Sequence, residues 1–126
     1  MLKSHYCGEL RKEHAGKEVS LAGWVDRRRD HGELIFVDLR DRSGITQVVF
    51  NPQVSKKSHQ TAEQIRNEYV LHIAGNVALR PKGTENPKLP SGDVEVIAKE
   101  VEILNTSKTP PFYINEESEV DEAVRL

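Results

Sequence analysis

Apolar and polar residues alternate with a period of two along most of this chain, and the alternation falls into five segments. The first runs from Glu18 to Arg29, with Val19, Leu21, Gly23 and Val25 at one parity and Ser20, Ala22, Trp24 and Asp26 at the other. The second runs from Leu34 to Leu39 and puts Ile35, Val37 and Leu39 on one face, with Phe36, Asp38 and Arg40 on the other. Successive side chains of a strand point to opposite faces, so each segment reads as a β-strand with one buried face. The third covers Ile45 to Asn51 and stops at Pro52. The fourth covers Tyr69 to Leu79, with Leu71, Ile73, Val77 and Leu79 in phase. The fifth is Val94 to Leu104, read as VEVIAKEVEIL. Between the third and fourth the period changes. Residues 55–68 space Ala62, Ile65 and Tyr69 as on a helix, behind Ser55 or Ser58 as a cap.

The connections complete this outline. Asp30-His31-Gly32 makes a tight reversal in which glycine can take a positive φ, and Arg42-Ser43-Gly44 is a second turn. Three strands on short turns make an antiparallel meander. Gly23 and Gly75 inside strands predict bulges or bends. Residues 80–93, RPKGTENPKLPSGD, hold three prolines and two glycines and predict a long loop, a common seat of function. Residues 1–17 read as a leader with a short helix over Gly8 to His14, stopped by Gly16. Residues 18–108 make the domain proper, and Thr109-Pro110-Pro111 opens a linker over 109–126. Periodicity alone leaves several small barrels open. A mainly β chain of five strands, with a barrel-plugging helix between the third and fourth, has the element order of the OB-fold. That fold often binds oligonucleotides on one face.

Composition narrows the function. The 126 residues suffice for one core, 30% of them are charged, and no apolar run approaches a membrane span. The single cysteine, Cys7, has neither a disulfide partner nor a zinc-spaced neighbour, and reads as a small buried hydrophobe in a cytoplasmic protein. The net charge of −2 speaks against a simple polyanion binder, but Glu116, Glu117, Glu119, Asp121 and Glu122 crowd the last twelve residues against Arg125 alone. Without these six, the 20 acidic and 18 basic residues become 15 and 17. That is only mildly basic, so any nucleic-acid site is small and shaped rather than a broad cationic surface.

Phe36 stands out as an aromatic on the polar face of its strand, beside the arginine run Arg27-Arg28-Arg29, where a base could stack. The arginines have a plainer reading as surface partners of Asp26, Asp30, Asp38 and Asp41. Gln47 can donate and accept, which suits a base edge; its plain reading is an exposed polar residue on an edge strand. Trp24 is expected in the core, and Glu95, Glu100 and His59 on the solvated surface. Asp38 and Asp41 could hold a cation, but a turn salt-bridged to Arg40 and Arg42 is the simpler reading. His5, His14, His31, His59 and His72 lack ligand spacing, and no phosphate loop, nucleophile elbow or paired-cysteine motif occurs. No catalytic residue and no metal site is expected.

The run GWVDRRRDHGELIFVDLRDRSGITQVVFNP at 23–52, with SHYCGEL at 4–10 and ILNTSKTPPF at 103–112, closely resembles the N-terminal anticodon-binding domain of bacterial aspartyl-tRNA synthetase, an OB-fold. The resemblance covers essentially the whole chain. It implies that Phe36 stacks on the central anticodon U, that Gln47 hydrogen-bonds that base, that Arg29 contacts the loop and that Glu95 reads the first base, G. His31 and Gly83 resemble the pattern of members that charge both tRNA(Asp) and tRNA(Asn), whose anticodons differ only at the third base. Losing one base contact costs about 1–3 kcal/mol, by analogy with duplex readout. Lysyl- and asparaginyl-tRNA synthetases carry related domains; the RRRDHG and LRDRSG wording favours the aspartyl family. The resemblance also implies an absent class II domain that forms aspartyl-adenylate from ATP, with magnesium, and makes the full-length ligase a homodimer. This chain alone would be a non-catalytic, cofactor-free and monomeric piece. A free-standing OB module for single-stranded nucleic acid or a protein partner is the alternative, and a purely structural role is a third option if Phe36 is buried.

Overall fold

In the computed structural model one long strand does the work of two. This strand, β1 (Glu18–His31), pairs with β4 (Val70–Leu79) over Glu18 to Trp24 and with β2 (Leu34–Asp41) over Trp24 to His31. The model describes residues 4–89 and 91–106, so the predicted linker over 109–126 lies outside the described residues. β2 continues into β3 (Gly44–Phe50) as the antiparallel meander that the short turns predict. β3 then runs parallel to β5 (Val94–Asn105), and β5 lies antiparallel to β4. The order β1-β2-β3-β5-β4 closes on itself. Among the described residues each strand is thus flanked by a strand on either side, the β3–β5 seam being the shortest.

Strand irregularities set which side chains face out. The β1–β2 register slips between Val25 and Arg27, so Asp26 is the extra residue of a bulge. The bend thus falls three residues beyond Gly23, the position at which the glycine predicts it. Gly23 answers to crowding instead, because a Cβ there would lie 2.4 Å from the Arg40 carbonyl oxygen. The bulge exchanges parities, so Trp24 sits opposite Arg40 before it while Arg27 and Arg29 sit opposite Asp38 and Phe36 after it. Trp24 is half-buried and outside the core cluster, contrary to the expectation, because the inward place goes to Val25. At Gly75 the expected irregularity does occur: the β4–β5 register slips there, and a Cβ would lie 2.2 Å from the Ile97 carbonyl oxygen.

The core is the inward parity of all five strands, with Leu21, Val37, Leu39, Phe50, Leu71 and Ile73 fully buried. The helix α1 (Lys56–Ala62) lies between β3 and β4, and its cap Ser55 accepts from the Ser58 N–H at 3.2 Å. It is shorter than the predicted 55–68. Ile65 still reaches the core, but from a turn that ends in Glu68 at φ +76. Arg28, on the inward parity at the barrel's rim, closes this end by donating to the carbonyls of Glu63 at 3.1 Å and Ile65 at 2.8 Å. The leader forms two 3-10 turns, Cys7–Glu9 and Lys12–His14, in place of a short helix. Cys7 is fully buried; its N–H donates to Asp41 Oδ2 at 2.8 Å, and its carbonyl accepts from Thr46 Oγ1.

Candidate nucleic-acid interface

Past the Asp26 bulge, the outward rows of all five strands line up. Arg29 of β1 lies opposite Phe36 of β2, Asp38 of β2 opposite Gln47 of β3, Gln47 beside Glu95 of β5, and Glu95 opposite Ala78 of β4. Directly paired residues share a face, so pairing alone brings Arg29, Phe36, Asp38, Gln47 and Glu95 to one patch. Side-chain bonds join them. Arg29 Nη2 donates to Asp38 Oδ1 at 3.1 Å and to Gln47 Oε1 at 2.9 Å, and Gln47 Nε2 donates to Glu95 Oε1 at 2.8 Å. The Arg29 guanidinium carbon lies 5.5 Å from the Phe36 ring centroid. His31 meets that ring edge-on at 6.1 Å.

Burial separates the members of the patch. Phe36 is half-buried and absent from the core cluster, which answers the structural alternative raised by its aromatic ring. Gln47 and Glu95 are only 6% and 8% exposed. Neither is the plain surface residue that the simpler readings described, because β3 is flanked by β2 and β5 and the two side chains bond each other across that pairing. Glu100 is exposed as expected. Burial raises the pKa of the Glu95 carboxyl above its ordinary value, against the opposing hydrogen bond from Gln47 and the charge of Arg80. Arg80 itself donates from Nε to the Val94 carbonyl at 3.1 Å and from Nη1 to the Thr84 carbonyl at 3.2 Å.

Residues 19–104 match a family of OB-fold nucleic acid binding domains, the tRNA anticodon family. The chain belongs to this family. It is 59% identical over 124 residues to an aspartate–tRNA(Asp/Asn) ligase of Heliobacterium modesticaldum, a match that covers 98% of this chain and 20% of the relative. The chain thus spans about a fifth of the length of the curated relatives it matches. Among solved structures, asparaginyl-tRNA synthetase from Pyrococcus horikoshii superposes with a TM-score of 0.70 at 29% identity, covering 89% of this chain and 25% of that one. An OBody bound to hen egg-white lysozyme gives a TM-score of 0.73 at 25% identity, covering 85% of this chain and 97% of that one.

This anticodon-family OB domain gathers five of the six residues that its sequence singled out: Arg29, His31, Phe36, Gln47 and Glu95. Gly83 stands apart in the β4–β5 loop, where it takes φ +92 in a turn closed by the Thr84 N–H on the Pro81 carbonyl at 2.9 Å. A turn with positive φ at its third residue favours glycine on backbone grounds alone. The expected salt-bridged turn is corrected. Arg40 pairs outward with Asp26 at 3.2 Å, Arg42 donates to the Tyr6 hydroxyl at 3.2 Å, and Asp41 is held by Ser43 and the leader. Arg28 and Arg29 do pair with Asp30 and Asp38, but each also makes a bond that the surface reading lacked. His59 Nε2 meets the Glu33 carbonyl at 2.7 Å instead of being simply solvated. Arg80 escaped notice because it borders a loop and belongs to no periodic pattern. Among the described residues, no group of three or more His, Cys, Asp or Glu is placed to hold a metal ion, and no helix is long and apolar enough to cross a membrane.

Proposed function

We propose that this chain is the anticodon-reading domain of an aspartate–tRNA ligase that serves tRNA(Asp) and tRNA(Asn). One observation carries the reading: a phenyl ring left out of the core lies in the same outward patch as a linked arginine, glutamine and glutamate. Phe36 stacks on the central U, worth about 1–3 kcal/mol for a base on an aromatic. Gln47 hydrogen-bonds that base, Arg29 contacts the loop, and Glu95 accepts from the donor edge of the first base, G. Arg29 and Arg80 face Asp38 and Glu95, so the patch is charge-balanced and selects by shape and hydrogen bonding.

The exposed His31 and the open, side-chain-free Gly83 leave the third base loosely held, which admits both GUC and GUU. The dual-specificity wording of the relatives supports this. The full-length ligase makes aspartyl-adenylate from ATP with magnesium in a separate class II domain, through which it dimerises, and works in the cytoplasm. Calorimetric titration of the 126-residue chain with anticodon stem-loops tests the reading. Comparable affinity for GUC and GUU, lost when the central U is replaced, is the expected result. Indifference to the central base refutes anticodon reading. A clear gap between GUC and GUU refutes the dual specificity alone.

A further inference from the structure

We propose that Arg29 and Glu95 act together as an orientation lock on the Gln47 amide, and that this lock makes the patch choose uracil over cytosine. The inference rests on the reading of Gln47 as the partner of the central base and adds the reason for its choice.

A free glutamine cannot separate the two pyrimidines. Uracil offers an N3–H donor beside its O4 acceptor, whereas cytosine offers an N3 acceptor beside its N4–H donors. A half-turn of the side-chain amide exchanges its carbonyl and NH2 and converts a partner of one base into a partner of the other. Gln47 is not free to make that turn. Its Oε1 accepts from Arg29 Nη2 at 2.9 Å, and its Nε2 donates to Glu95 Oε1 at 2.8 Å. A guanidinium can only donate and an ionised carboxylate can only accept. The amide's assignment is therefore dictated by chemistry, unlike most glutamines, whose two orientations look alike. Reversal would set the NH2 against the guanidinium and the carbonyl against the carboxylate, and would give up two charge-assisted bonds.

The surroundings tighten the lock. Gln47 is only 6% exposed, so water cannot readily replace a lost partner. Asp38 holds the same Arg29 nitrogen at 3.1 Å, and Arg80 lends Glu95 a favourable positive charge. With one lone pair and one N–H engaged, the amide keeps one of each. That pair fits the N3–H and O4 of uracil and meets cytosine donor to donor and acceptor to acceptor. Arg29 and Glu95 are thus positioning residues for the central base, whatever else each touches.

The test is fluorescence anisotropy with labelled stem-loops carrying GUC or GCC, which differ only at the central pyrimidine. The unsubstituted chain is expected to bind GUC more tightly by about tenfold or more, the size of one good paired contact. Arg29→Lys still can only donate, and is expected to weaken both complexes while keeping the ratio. Glu95→Gln, whose amide can accept or donate, lowers the ratio, and Glu95→Gln with Arg29→Met brings it close to one. General damage to the patch would instead weaken both loops and leave the ratio standing. A double variant that keeps the full GUC preference overturns the lock and leaves anticodon reading intact. If that double variant does not fold, Glu95→Gln with Arg29→Gln, which keeps a polar side chain at both ends but fixes neither, decides on the same criterion. An unsubstituted chain that binds neither loop, or both equally, overturns the underlying reading and the lock with it.

Discussion

Phe36→Ala, set beside Leu39→Ala three positions along the same strand, separates a recognition surface from a core. Leu39 is fully buried on the inward parity. Truncating such a leucine costs about 2–5 kcal/mol, partly through the cavity it leaves. Each kcal/mol moves the midpoint of a domain this size by about 2–8 °C, so Leu39→Ala should melt lower by about 4–40 °C. Phe36 faces the other way. Its removal loses the Arg29 contact, worth about 0.5–1 kcal/mol, and part of a ring's burial, for a total of about 1–2 kcal/mol. The order reverses for binding. Phe36→Ala forfeits a stacked base and should weaken the GUC loop by roughly 5- to 150-fold. Leu39→Ala, assayed well below its midpoint, should bind as the unsubstituted chain does, because its side chain never reaches the outer face. Differential scanning calorimetry and isothermal titration on the same preparations supply both numbers. The reasoning is refuted if Phe36→Ala melts as low as Leu39→Ala and still binds the loop at full strength.

Gly75→Ala puts a Cβ 2.2 Å from the Ile97 carbonyl oxygen, a backbone atom that cannot swing aside, and should lower stability in urea by about 1–3 kcal/mol or more. An unchanged midpoint would mean that β4 and β5 part there without cost. Arg28→Met strips the donors from the Glu63 and Ile65 carbonyls and should cost about 1–2 kcal/mol while leaving loop affinity alone. A binding defect without a stability defect would reverse the roles assigned to Arg28 and Arg29. The two perturbed carboxyls act with opposite sign on pH. Burial pulls Asp41 upward, but hydrogen bonds from Ser43 and Cys7 outweigh it and hold the pKa below the ordinary 3.8. Its contribution is therefore present above 3.8 and lost as pH falls through the lower folded value, a loss that Asp41→Asn should abolish in urea melts. Glu95 lies above its ordinary 4.5, so its contribution is present below 4.5 and lost as pH rises through the higher folded value; Glu95→Gln should remove that fall.

What could be read in advance was what a strand or helix decides within itself. Period-two alternation in β2 placed Phe36 outward and Val37 and Leu39 inward, because the pleat alone sets that choice. Gln47 and Glu95 were visible as polar residues among β-formers, yet their burial was not. It comes from parallel pairing of β3 with β5, which joins side chains 48 positions apart. Gly23 misled because glycine answers two needs. Here it makes room for the Arg40 carbonyl, and the register slip falls on Asp26, which carries no distinguishing residue type. Trp24 lies well before the end of the arginine run, which points to the core, but its parity sets it opposite Arg40 on the outer side. The helix is shorter than its spacing predicts because Ile65 and Tyr69, though spaced for a helix, reach the core from the turn that follows it.

The arginine run shows how one backbone irregularity converts a plain sequence into a differentiated site. Three identical residues in a row would simply alternate on a regular strand, with Arg27 and Arg29 turned inward alongside Val25. The extra residue at Asp26 shifts them by one, so Arg28 takes the inward parity at the rim while Arg27 and Arg29 join Phe36 outside. Because Arg28 lies at the barrel's end rather than in its middle, its charge stays near solvent and its donors serve the carbonyls behind α1. Arg29, one step on, finds Asp38 and Gln47 across the ladder. Without the bulge Arg27 would take the inward place opposite Val37 that Arg28 now holds, and Arg28 rather than Arg29 would sit opposite Phe36. The bulge thus decides which arginine closes the barrel's end and which joins the recognition patch.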